Sequence, residues 1–193
     1  MYSLKLKFRF LFICLDCTNE QLLLPKLVRL HRLALVGSCP IDLENFSILL
    51  ESTPNLFRLD LPYQTLKSIL QIPQLCFLLR QRITALTIND LPSASSEQNP
   101  LFISHLVSIF QHIQHFYVDM RSLDTHIDEF VLRYLDEFHR QNRTLTSFCV
   151  DGKPSNELKR NAYEWLQHQR NDFIQKKFTA FFNDKVGRLL IWL

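Results

Sequence analysis

The sequence predicts a single α/β domain of solenoid form, with parallel strands on the inner face, helices on the outer face, and a C-terminal helix plus β-hairpin as a cap. Three observations predict it. An apolar-x-x-apolar-x-apolar phrase occurs six times: Phe10-x-x-Ile13-x-Leu15, Leu30-x-x-Leu33-x-Leu35, Leu56-x-x-Leu59-x-Leu61, Ile83-x-x-Leu86-x-Ile88, Ile113-x-x-Phe116-x-Val118 and Leu145-x-x-Phe148-x-Val150. Successive phrases start 20, 26, 27, 30 and 32 residues apart, enough for a strand, a helix and two turns. The apolar period is two at the end of each phrase and helical between phrases, so strand and helix alternate. Alternation of that kind requires parallel strands joined by crossovers.

The elements follow in order. The first phrase opens the array at Phe10, behind Lys5, Lys7 and Arg9. That flank resembles the start of a secretory signal. The uncharged apolar run is only six residues, however, against about 7–15 in a signal, and no small-residue cleavage site precedes Asp16. After the second phrase, Leu43, Phe46, Leu49 and Leu50 mark a helix. After the third, Leu66, Ile69 and Leu70 mark another, which Pro73 ends while beginning a second turn of Leu75–Leu79. The polar stretch 92–100 (PSASSEQNP) is an enlarged loop within the array, and Phe102, Ile103, Leu106, Val107 and Phe110 share one helical face beyond it. Ile127, Phe130, Val131, Tyr134, Leu135 and Phe138 do the same in the next interval, with Thr125 and Asp128 placed as a capping box. Past Val150, Asp151-Gly152 is a turn and Pro154-Ser155 opens a helix bearing Leu158, Ala162, Trp165, Leu166 and Phe173. Residues 178–183 and 188–193 flank Asp184-Lys185-Val186-Gly187 as a β-hairpin. The repeats thus span about 10–152 and the cap about 153–193 of one domain, 1–193.

Composition narrows the function classes. Three glycines, Gly37, Gly152 and Gly187, make neither a dinucleotide-binding nor a Walker loop. A net charge of +3 from scattered Lys and Arg does not point to nucleic acid. Five cysteines without framework spacing suit reduced thiols and a cytoplasmic or nuclear setting. Cys14-x-x-Cys17 lacks the second pair of a zinc site, and His112-x-x-His115 lacks further ligands, so no metal or cofactor is expected. Without a nucleophile elbow or other catalytic motif, an enzyme is not expected either. Asp128, Glu129, Asp136 and Glu137 read as the solvated side of a helix. No stretch approaches the roughly 18 apolar residues of a membrane span.

The phrase, with Cys or Asn a few residues on, resembles the leucine-rich repeat. Thr53-Pro54-Asn55-Leu56-x-x-Leu59-x-Leu61 is similar to the irregular repeats that follow the F-box in F-box/leucine-rich-repeat proteins. The closing Asp184-x-x-x-Arg188-Leu189-x-Ile191-Trp192-Leu193 resembles the end of divergent members. The resemblance covers nearly the whole chain. It implies a protein-binding module that selects substrates for a cullin-type ubiquitin ligase, with an F-box docking the ligase adaptor. No F-box is found ahead of Phe10, so adaptor docking would need an upstream module. The alternative is a repeat scaffold with no ubiquitin link.

Strand geometry selects the contact residues. With the first, fourth and sixth phrase positions buried, the second, third and fifth project from the inner face, as does the residue after the phrase. Those columns hold Phe12, His31, Arg32, Phe57, Arg58 and Asp60, and later Gln114, His115, Tyr117 and Asp119. Arg32, Phe57, Arg58, Asp60, His115, Tyr117 and Asp119 are the expected partner-binding set, because exposed Arg and aromatic side chains on a rigid sheet favour interface hot spots.

Overall fold

The computed structural model describes residues 4–5, 12–13, 26–35, 42–91, 100–122, 124–141, 144–169 and 178–193. Strands β1 (Leu4–Lys5) and β2 (Phe12–Ile13) pair antiparallel as a separate two-stranded sheet. The main sheet holds β3 (Arg32–Ala34), β4 (Arg58–Pro62), β5 (Ala85–Asn89), β6 (His115–Asp119) and β7 (Ser147–Asp151), parallel and in chain order. It continues through β9 (Arg188–Trp192) to β8 (Thr179–Asn183), both pairings antiparallel. The fold is therefore mixed α/β around an open seven-stranded sheet.

The phrase explains the register. In each of the last five phrases all three apolar positions are buried. Leu33, Leu59, Leu86, Phe116 and Phe148 stand side by side across the parallel strands, and Leu61, Ile88, Val118 and Val150 form the next row. One hydrogen-bond device recurs at every step. The carbonyl of the second phrase residue accepts from the second and third N–H groups of the following phrase. His31 thus accepts from Phe57 and Arg58 (3.1 and 3.1 Å), and Phe57 from Thr84 and Ala85 (2.9 and 3.0 Å). Thr84 accepts from Gln114 and His115 (2.8 and 3.1 Å), and Gln114 from Thr146 and Ser147 (2.8 and 2.9 Å). Equal backbone geometry keeps these five phrases in the same register, so the five parallel strands turn the same positions inward.

The connecting helices bury the inward face. They are α1 (Leu43–Ser52), α2 (Tyr63–Ile69), α3 (Pro73–Arg82), α4 (Pro100–Ile109) and α5 (Asp128–Gln141). Asp42 caps α1 by accepting from the Glu44 and Asn45 N–H groups at 2.9 and 3.4 Å. Pro73 both follows the end of α2 and opens α3, as its fixed φ and missing N–H favour at a first helical position. Phe116 lies among Tyr134, Phe138 and Phe148 at ring-centre distances of 5.4, 5.1 and 5.6 Å, so α5 packs its aromatic stripe on the sheet. Among the described residues no helix is long and apolar enough to cross a membrane.

Several expectations change. The first phrase does not lead the parallel sheet: Phe12 and Ile13 pair with Lys5 and Leu4. A partner this near in sequence needs only a short antiparallel connection, which competes well with a distant sheet edge. Phe10, Leu15, Cys14 and Cys17 lie outside the described residues, as do Phe173 and most of the 92–100 loop. Thr125 and Asp128 make no capping box; the Asp128 carboxylate accepts the Ser155 N–H at 3.0 Å, tying α5 to the chain after β7. The expected single C-terminal helix is two, α6 (Asn156–Arg160) and α7 (Ala162–Gln169). Asn161 separates them at φ −155° and ψ 92°, closing α6 through its N–H to Glu157 and capping Glu164 with its side chain at 3.2 Å. The hairpin forms with Gly187 at φ 63°, and it extends the main sheet through β9.

Gly152 follows β7 where three segments converge. A Cβ there would sit 2.4 Å from Ile127 Cγ2 and 3.3 Å from Met120 Cβ, and both neighbours are buried. We expect Gly152→Ala to lower unfolding free energy by about 1–3 kcal/mol through overpacking. Urea denaturation checks this: the midpoint falls while the slope is unchanged. An unchanged midpoint would mean that the helix start moves aside freely.

Candidate functional site

The sheet face opposite the helices carries the third and fifth phrase residues. Register sets them in rows. Arg32, Arg58, Ala85, His115 and Ser147 form one row; Ala34, Asp60, Thr87, Tyr117 and Cys149 form the next. On β5 the row residues are small, Ala85 and Thr87, while both neighbouring strands carry long side chains. The result is a groove of about 620 Å³ with β5 as its floor, Arg58 on one wall, and His115 and Tyr117 on the other.

Two carboxylates are sunk into this face, each held by arginine. Asp60 is 4% exposed. Arg32 Nε donates to its Oδ2 at 2.7 Å, Arg32 Nη2 donates to the same oxygen, and Arg58 Nε donates to Oδ1 at 3.2 Å. The guanidiniums above it stay half-exposed. Asp151 is 1% exposed. Arg188 grips it through Nε to Oδ1 at 2.5 Å and Nη2 to Oδ2 at 2.8 Å, a bidentate pair. The Tyr117 hydroxyl also donates to Asp151 Oδ2, at 2.7 Å, and Arg188 lies over the Tyr117 ring at 5.2 Å. A buried carboxylate therefore holds each of these arginines in place.

Burial, and then the hydrogen bond to Asp151, push the Tyr117 phenol well above the ordinary tyrosine range. Tyr117 stays a neutral donor at physiological pH. The bond from Arg121 holds the Asp119 carboxyl below its usual range, against the opposing effect of burial. Burial pushes the Cys149 thiol up to about 12, which makes it a poor nucleophile. The His115 Nδ1 and Ser147 Oγ are in hydrogen-bond contact at 2.8 Å. Among the described residues no group of three His, Cys, Asp or Glu side chains gathers where a metal could be held.

Of the residues expected from sequence, Arg32, Phe57, Arg58, Asp60, His115 and Tyr117 border one groove. Phe57 is 47% exposed on its rim, beside His31 with ring centres 5.7 Å apart. Asp60 does not offer a free carboxylate; it positions Arg32 and Arg58 from beneath. Asp119 lies outside the groove lining and pairs with Arg121. Sequence reasoning missed Ala85 and Thr87, which create the concavity, and Cys149, all at third or fifth phrase positions where the column rule applied. It also missed Asp151, which follows the sixth phrase as Asp119 follows the fifth. Arg188 carried no such signal, because its place beside Asp151 depends on the hairpin joining the sheet. No protein-family model, curated protein or solved structure matches the chain.

Proposed function

We propose that the chain is a leucine-rich-repeat-like solenoid that recognises a protein partner on its strand face. One observation carries the reading: the face away from the helices holds half-exposed arginines oriented by buried carboxylates, beside an exposed Phe57. Preorganised Arg and aromatic side chains lose little conformational freedom on binding, which is the property of hot-spot residues. The repeated carbonyl device and the single shared register support the repeat reading. Substrate selection for a cullin-type ubiquitin ligase is the more specific form and rests on the sequence resemblance alone.

A photo-crosslinking amino acid at Ser147, in the groove, and at Phe77, 61% exposed on α3, tests this directly. The expected result is a protein adduct from the Ser147 position only, lost when Arg58→Glu is added and the fold is intact by circular dichroism. Adducts from Phe77 alone, or adducts indifferent to Arg58→Glu, would overturn the strand-face reading. Recovery of a ligase adaptor with the adduct supports the ubiquitin branch; its absence leaves a plain binding module.

A further inference from the structure

We propose that the groove over β5 receives a carboxylate side chain of the protein partner, held by the Thr87 hydroxyl and the outer edge of the Arg58 guanidinium. This rests on the strand face being the recognition surface. Thr87 is 9% exposed and lines the groove, yet its hydroxyl has no hydrogen-bond partner among the described residues. Buried hydroxyls are nearly always satisfied, so an orphan aimed into a groove points to a ligand that completes it. Its strand neighbours across the sheet are Asp60 and Tyr117, whose polar groups are already engaged.

The charge layout says what the ligand is. Arg32, Arg58 and Arg188 line the groove against a single carboxylate, Asp60, which is buried. Arg58 spends only Nε on Asp60, so Nη1 and Nη2 have no partner among the described residues. An anion therefore meets both a free guanidinium edge and a free hydroxyl. The dimensions favour a side chain over a nucleic-acid backbone: β4 and β6 flank the floor about 10 Å apart, two strand spacings. Phosphate backbones are recognised by many uncommitted cations, whereas these arginines are already oriented by carboxylates and no lysine lines the groove.

Titration of the isotope-labelled chain with N-acetyl-glutamate N-methylamide, followed by NMR, tests the proposal. The expected result is saturable shifts at the Thr87 amide and Arg58 Nε. The glutamine analogue binds about tenfold more weakly, having lost a charge-assisted bond. Thr87→Val should weaken the glutamate probe by a similar factor while leaving the thermal midpoint unchanged or higher, because it removes an unsatisfied hydroxyl. Equal binding of the two probes, no binding at all, or a Thr87→Val variant that is destabilised would overturn the proposal. Tighter groove binding by a thymidine oligonucleotide would also overturn it, in favour of nucleic acid. Crosslinking from Ser147 that persists while the glutamate probe fails would remove the carboxylate site and leave the recognition face standing.

Discussion

Replacing Phe116 with Ala should cost about 3–5 kcal/mol of stability, the range for deleting a fully packed aromatic side chain. Phe116 is 1% exposed and has ring contacts in several directions: nearly parallel to Phe148 (6° between planes), beside Tyr134, and tilted onto Phe138. Its removal opens a cavity that two strands and α5 all border, and hydrogen-bonded strands cannot collapse into it. Domains are typically stable by about 5–15 kcal/mol, so the variant would sit near its threshold. Urea unfolding measures the loss, with Phe77→Ala as the comparison, since Phe77 is 61% exposed. Equal losses at the two positions would show that the aromatic cluster is not the core of the fold.

Arg188→Ala should be the next largest, at about 3 kcal/mol, the lower end for breaking a buried ion pair, because the arginine itself is partly exposed. It leaves Asp151 with the Tyr117 hydroxyl and a distant Arg121, whose Nε lies 3.9 Å away. Arg32→Ala makes the informative contrast. Asp60 keeps the 3.2 Å bond from Arg58 when Arg32 is lost, so that change should cost clearly less. Calorimetry or urea unfolding of both variants checks the ordering. A loss at Arg32 equal to that at Arg188 would mean that Arg58 does not hold Asp60 unaided.

Much of the architecture was legible because the apolar phrase is itself a geometric statement. Alternation at its end marks which side chains turn inward, and the last five phrases all obey it. The helices between phrases were equally legible from their apolar faces. Misreadings arose where a local competitor decided the outcome. Asn161 both terminates one helix and caps the next, so a continuous apolar stripe is divided in two. Asp128 is drawn to the Ser155 N–H by tertiary proximity, so a pattern that reads as a capping box forms none.

The strand face away from the helices divides the same way. By itself the sequence determined which residues leave the sheet on the side away from the helices, because strand side chains alternate and the phrase sets the phase. It therefore placed Arg32, Arg58, His115 and Tyr117 on one surface. Only the tertiary structure decided what those residues do there. Register brings Arg32 onto the carboxylate that Arg58 holds from within the same strand, and hairpin docking brings Arg188 onto Asp151. It also sets the small side chains of β5 between taller neighbours, which opens the groove. The physical reason is distance in the chain: alternation within one strand already sets Arg58 beside Asp60 two residues on, whereas Arg32 and Arg188 lie 28 and 37 residues from their carboxylates and meet them only when the strands pair.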